Sequence, residues 1–419
     1  MTSDRLVFSE DVARDLTRYC IEHALDCVVT VSDSNTFTVI GDEINTRLNA
    51  GGITVKSIIL NGNQLMSDER AIVSVLVDMN LRAQAIIAVG SGTITDIVRF
   101  VSHRTNTVFI AVPTAPSVDG YASSGAPLVL KGYKRSIQCH APAFILASLP
   151  ILANSPRAMI AAGFGDVLGK VTALADWELS HILIGTRYDA EIARDTHDAY
   201  DCTIGNVRGI ASQDPAAIKV LFQALTTTGM SVARFGSSEP ASGAEHHISH
   251  FIEMQQMVDG KPAILHGTKV AMGTVIAAHW YKTLRNWNRA EIRDLPVAVP
   301  DYELDSVEIR RLLGEAGERI LESNSFLSTL TRRQVETIRA RLLENWDRIQ
   351  DIARRVPPPE ELQQLLDIVG SPHDPGALGL TAEQVATASR LCHFVRSRMT
   401  VRTLFFVLGI PAETVHGSR

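Results

Sequence analysis

The apolar positions change their period once along the chain. In the first part they come as short unbroken runs: residues 27–33 (CVVTVSD), 57–62 (SIILNG), 85–90 (AIIAVG) and 107–112 (TVFIAV). Runs of this length, rich in Val and Ile, predict strands buried on both faces. Between them apolar residues recur at helical spacing over 35–49, 67–82 and 93–103. Strands alternating with helices predict a parallel sheet covered by helices. Residues 125–139, GAPLVLKGYKRSIQC, read as two short strands around a Lys-Gly-Tyr-Lys turn, a β-hairpin closing the first domain.

Beyond about residue 150 the strand pattern stops. Amphipathic helical patterns cover 156–185, 188–201, 215–230, 243–258, 265–285, 305–323, 331–354, 358–369 and 381–408, broken by proline and glycine clusters such as RVPPPEE and GSPHDPGALGL. The expected organisation is an α/β dinucleotide-binding domain over 1–152 and an all-helical metal- and substrate-binding domain over 153–419.

Composition narrows the partners. The chain has 419 residues, 45% hydrophobic and 6% aromatic, with a net charge of −6. That suits an aliphatic α/β core. No Lys/Arg-rich block is present, which argues against nucleic acid as a partner. The longest apolar run, APAFILASLPILA, is broken by prolines and too short to span a bilayer. The N-terminal MTSDRLVFSEDV lacks the apolar region of a signal peptide. Five scattered cysteines without zinc-ribbon or CxxC spacing predict reduced thiols in the cytoplasm.

Two loops and a histidine cluster carry candidate chemistry. In IIAVGSGTITDIVRF, Gly90, Ser91 and Gly92 stand between a strand and a helix, where free N–H groups and the helix dipole suit a phosphate. Glycine there also serves plain turn geometry. Asp33, ending the first strand, suits a ribose or a helix cap. The polar loop 112–126, VPTAPSVDGYASSGA, follows a buried strand, a usual ligand position in open α/β sheets. Four histidines, His246, His247, His250 and His266, crowd one stretch. His246 and His250 share a helix face, His266 opens the next helix, and His247 points away. Two imidazoles and a carboxylate make a catalytic metal set. Asp166, in AAGFGDVLGKVTALADW, is the carboxylate; an ion pair with Lys170 is the plainer reading.

GSGTITD, VPTAPSVDGYASSGAP, AGFGDVLGK, SGAEHHISH and LHGTKVAMG stand in the order and near the spacing seen in sn-glycerol-1-phosphate dehydrogenases. The chain resembles that family, within the iron-containing alcohol dehydrogenase and dehydroquinate synthase superfamily, and its bacterial metal-dependent branch most. The resemblance runs to the C-terminal ASRLCHFVRSRMTVRTLFFVLGI. It implies an active site in a cleft between two domains. By motif match, Gly90, Ser91, Gly92, Thr93 and Ile94 hold the pyrophosphate of NAD or NADP. Thr114, Ala115, Pro116, Ser117 and Ser123 line the nicotinamide side, and Asp33 meets the adenine-side ribose. Asp166, His246 and His266 ligate one divalent ion, zinc or nickel, with iron also possible. Asp119, His250 and Asp166 touch substrate.

The implied activity is reversible hydride transfer reducing dihydroxyacetone phosphate to sn-glycerol 1-phosphate, by a homodimer. His250 relays a proton or only orients the substrate. Lys134, Arg135 and Lys170 are cations on hand for its phosphate. Dehydroquinate synthase has a Gly-Gly-Lys run after its loop and a glutamate as first ligand; here DGYASSGAP and Asp166 stand instead. A cyclase of that kind, a reductase of another phosphorylated or phosphonylated ketone, and a non-catalytic metal and nucleotide sensor are the competing readings.

Overall fold

The computed structural model describes residues 5–62 and 65–411. These divide into two compact units: residues through Val167 with Asp201–Ser237, and Leu168–Tyr200 with residues from Ser238 onward. The expected boundary near 152 thus falls inside the first unit, which also takes the helical segments 157–167 and 201–237.

The first unit is built on strands β1 (Leu6–Phe8), β2 (Cys27–Asp33), β3 (Thr54–Leu60), β4 (Ala85–Gly90), β5 (Val108–Pro113), β6 (Gly125–Leu130), β7 (Tyr133–Gln138) and β8 (Phe144–Ala147). Six of them form one sheet in the order β1-β8-β5-β4-β2-β3, parallel throughout. β2 and β4 keep the bounds read from the sequence, because a strand covered on both faces needs an apolar residue at nearly every position. Leu16, Ile44 and Leu48 from the helices pack with Val28, Ile87, Val89, Ile110 and Val112 from the strands. Truncating Leu16, Ile44, Leu48, Ile87 or Ile110 to alanine costs about 2–5 kcal/mol.

From β2 the chain steps out to β3, then back across to β4. The carboxyl ends of β2 and β4 therefore flank the point where strand order reverses, which is where open α/β sheets bind ligands. Asp33 ends β2 and Gly90 ends β4. In the β4–β5 ladder Gly90 stands opposite Pro113, so the glycine turn and the polar loop start side by side. The hairpin of β6 and β7 is antiparallel, and Lys131 and Gly132 at its tip both have positive φ, 52° and 72°, as a tight two-residue turn requires.

The second unit is helical. Where one long helix was expected over 305–323, Gly314 at φ 54° separates Tyr302–Leu313 from Glu315–Ser323. The stretch 331–354 likewise divides, at Asn345. Two helical stretches, Arg157–Ile184 and Pro215–Phe235, are long and apolar enough to cross a membrane by composition alone; 83% and 56% of their apolar windows are buried within the fold, as helices lining a protein core are.

Candidate active site

The glycine turn is shaped by close contacts. A side chain at Gly90 would meet Ile94 Cγ1 at 2.8 Å, and one at Gly92 would meet Val118 Cγ2 at 2.8 Å. Ser91 precedes the helix Gly92–Thr105 in extended conformation, and its side chain makes no cap bond. The first-turn N–H groups of a fourteen-residue helix are thereby left for another acceptor.

Asp33 caps the next helix. Its Oδ1 accepts from Asn35 and Thr36 at 2.8 and 2.9 Å, while Thr36 Oγ1 accepts the Asp33 N–H at 3.0 Å.

The polar loop is held from below by a residue absent from the sequence reading. Arg99, fully buried, donates to Asp96 at 2.7 Å and to the carbonyls of Gly125 at 3.0 Å, Tyr121 at 3.2 Å and Gly120. Burial raises the Asp96 carboxyl to about 7, against the pull of Arg99. Tyr121 ties the loop to itself, donating to the Ala115 carbonyl at 2.6 Å and sharing a bond with Ser117 Oγ at 3.2 Å. Thr114, Ala115, Ser117 and Ser123 are buried. Two glycines on packed helices let the loop sit close. A side chain at Gly163 would fall 1.7 Å from the Pro116 carbonyl oxygen, and one at Gly229 would fall 2.4 Å from that of Asp119. Asp119 opens a short 3-10 turn, and its N–H donates to Asp166 Oδ2 at 2.9 Å. Asp166 is itself fully buried, near the end of the helix Arg157–Leu168.

In the second unit His246 and His250 lie on the helix Ala244–Val258, and His266 is the first residue of His266–Arg285. Gly273 brings these helices together: a side chain there would stand 2.4 Å from the Glu245 carbonyl oxygen. The ring centroids of His246 and His266 are 5.3 Å apart, those of His250 and His266 5.6 Å, and those of His246 and His250 6.2 Å. His247 is buried apart from this group, and burial, then Arg398 and Arg396, hold its imidazole well below the usual range.

Glu245, also absent from the sequence reading, is fully buried beside this group. Its Oε1 lies 2.8 Å from His246 Nδ1 and accepts the Gly243 N–H at 2.6 Å; its Oε2 accepts from Thr172 Oγ1 at 2.6 Å. Burial by itself would raise this carboxyl, but the bonds from His246, Thr172 and Gly243 bring it below the ordinary range. A carboxylate at Nδ1 favours the proton there, which makes Nε2 the acceptor nitrogen of His246. Asp166, His246 and His266 each offer one ligand atom, and these atoms lie within 4.8 Å of one another. One carboxylate and two imidazoles fit a divalent transition metal.

Of the cations considered for a phosphate, Lys170 donates to the Ala241 carbonyl at 3.2 Å, and Arg135 is exposed on β7.

The model of the iron-containing alcohol dehydrogenase family matches residues 7–156. Over 408 residues, 97% of this chain and 92% of the relative, the sequence is 32% identical to a glycerol-1-phosphate dehydrogenase, NAD(P)+, of Geobacillus thermodenitrificans. The chain belongs to the glycerol-1-phosphate dehydrogenase family. It is also 40% identical to the Bacillus subtilis member over 284 residues, 67% of this chain and 72% of that one. Solved structures share the fold. A 1,3-propanediol oxidoreductase matches with TM-score 0.64 at 14% identity, covering 97% of each chain. A sulfoacetaldehyde reductase from Bifidobacterium kashiwanohense, solved with NAD+, matches with TM-score 0.60 at 14% identity, covering 98% of this chain and 96% of that one.

Proposed function

We infer that this chain reduces dihydroxyacetone phosphate to sn-glycerol 1-phosphate with NAD(P)H. The observation that carries this is its near-full-length match to a relative bearing that activity's name. The donor set of Asp166, His246 and His266 supports it.

In this reading the N–H groups of Gly92, Thr93 and Ile94, with Gly90 and Ser91 forming the turn, receive the cofactor pyrophosphate. Thr114, Ala115, Pro116, Ser117 and Ser123 line the nicotinamide, a role supported by the rigid seating of the loop on Arg99. Asp33 meets the ribose through Oδ2, the oxygen its capping bonds leave over. Asp166 Oδ1 or Oδ2, His246 Nε2 and a ring nitrogen of His266 hold the metal. When bound, the ion supplies Lewis-acid polarisation of the ketone and the cofactor supplies the hydride.

The chain's own residues then orient and handle protons. Asp119, fastened by its N–H to Asp166, faces substrate beside the ligands. His250 has Nδ1 3.5 Å from Glu253 Oε2 and Nε2 3.4 Å from Arg396 Nη2. It passes the proton that the product oxygen requires, with Glu253 behind it. The ion is zinc, nickel or iron, each of which binds imidazole and carboxylate. The same reading takes the protein to be a cytoplasmic homodimer, and the five cysteines, all free thiols in the structure, fit that compartment.

The test is NADH and NADPH oxidation on dihydroxyacetone phosphate after chelation and restoration of zinc or nickel. Metal-dependent oxidation with formation of sn-glycerol 1-phosphate is expected. No net oxidation on this ketone, with turnover of a different phosphorylated or phosphonylated ketone or ring closure of a sugar phosphate, would displace it.

A further inference from the structure

Beside the histidine group, the second unit gathers cations and hydroxyls that no part of the metal or nucleotide chemistry uses. The segment after the turn Cys392–Phe394 is fixed by Asn324, fully buried, whose side-chain N–H groups reach the carbonyls of His393, Phe394 and Arg396 at 3.1 Å each. From it Arg396 and Arg398 reach back toward residues 238–242. Arg398 donates to the Ser242 carbonyl at 2.7 Å and to Ser238 Oγ at 2.8 Å, and Glu239, Glu245 and Asp176 balance its charge. It straps the loop down. Arg396 donates from Nη1 to Ser238 Oγ at 2.7 Å and Ser242 Oγ at 3.5 Å, and its Nη2 stands 3.4 Å from His250 Nε2. His250 in turn stacks at 5.6 Å on His266.

Ser238 Oγ thus accepts from two guanidinium groups. A hydroxyl so placed keeps its own hydrogen to donate. A half-buried guanidinium fork, two serine hydroxyls and an imidazole within one cluster have the donor geometry of a phosphate-monoester site. Arg396 and His266 both meet the His250 ring, Arg396 at Nε2 and His266 by stacking. In a three-carbon ketose phosphate only a methylene and an ester oxygen separate the carbonyl from the phosphorus, so the two must be held by neighbouring residues.

We propose that Arg396, with Ser238 and Ser242, binds the phosphate of the substrate alongside His250. The proposal rests on the reading of the substrate as a phosphorylated ketone. It replaces Lys134, Arg135 and Lys170, the cations drawn from sequence alone.

The experiment has two arms on the metal-loaded protein, with R396A, R396K and S238A. In the first, inorganic phosphate is titrated by calorimetry without any ketone. Binding at least about tenfold weaker in R396A than in the wild type is expected; equal binding overturns the proposal whatever the enzyme's substrate proves to be. In the second, kcat/KM is compared for dihydroxyacetone phosphate and phosphate-free dihydroxyacetone, with and without added inorganic phosphite. In R396A the ratio of the two should fall by about 10²-fold, chiefly through KM for the phosphorylated ketone. Phosphite should speed reduction of dihydroxyacetone in the wild type and not in R396A. R396K and S238A should fall between. An unchanged ratio, or phosphite activation that survives in R396A, refutes the assignment. A wild type that binds phosphate at Arg396 and reduces neither ketone would instead refute the substrate reading and leave the phosphate site standing.

Discussion

Nδ1 of His246 lies 2.8 Å from Oε1 of Glu245, its neighbour in sequence. Adjacent residues on a helix point about 100° apart, so this contact needs the Glu245 side chain to fold back at the helix start. Gly243 and Thr172 hold it there. The pairing sets which nitrogen of His246 carries the proton and which one accepts.

Glu245→Ala is accordingly expected to weaken zinc or nickel binding by about 10–100-fold, measured by competition with a chelator of known affinity. Glu245→Gln, whose amide oxygen can still accept from Nδ1, should recover part of that. Equal affinity in all three proteins would remove Glu245 from the site.

His250 stacks on His266 without belonging to the donor set within 4.8 Å. His250→Ala should retain the ion by elemental analysis and lose about 10²–10⁴-fold in kcat, with a flattened pH profile. An unaltered pH profile of kcat would show that the imidazole only orients the substrate.

Gly229 admits the Asp119 carbonyl so closely that Gly229→Ala must push the polar loop away or deform its helix. Overpacking of that kind costs about 1–3 kcal/mol. Both a lowered melting temperature and weaker NADH binding are expected. A variant with wild-type stability and wild-type NADH affinity would show that the loop yields freely.

His393 is fully buried, its ring 4.4 Å from both Phe394 and Phe406. Burial, then Arg402 and His247, hold its imidazole well below the usual histidine range. The unfolded chain therefore takes up the proton first. The stability from keeping it neutral is fully present above about pH 6.5 and is lost as pH falls below that value, by up to about 1.4 kcal/mol per pH unit for each such group. His247 acts in the same direction. Urea unfolding at pH 7 and pH 5 should show this loss in the wild type and a smaller one in His393→Phe. Identical losses would contradict it.

How much of this was legible depends on how far apart in the chain the partners stand. β2 and β4 were readable because buried parallel strands declare themselves in every residue. β1 and β8 were not: Leu6–Phe8 is three residues long, and Phe144–Ala147 merges with the helix Leu149–Ala153 into one apolar run. The ligand candidates stood out by residue type and motif. Glu245 did not, because an acid in the first turn of a helix ordinarily serves only the helix dipole. Arg99 and Arg396 were hidden because, Asp96 beside Arg99 apart, their partners stand 20 or more positions away, as Gly120 and Ser238 do, and no local pattern marks such a contact. Asp33 showed the opposite limit: the cap seen in the structure was readable, and the ribose contact needs the cofactor.

The account stands on Asp166, His246 and His266 sharing one ion. The most direct measurement is elemental analysis of the purified wild type beside Asp166→Asn, His246→Ala and His266→Ala, each dialysed against the same metal and assayed for turnover. About one ion per chain in the wild type, and loss of both ion and activity in all three folded variants, is the predicted result. Full metal occupancy in any of the variants, with its fold intact, would contradict it.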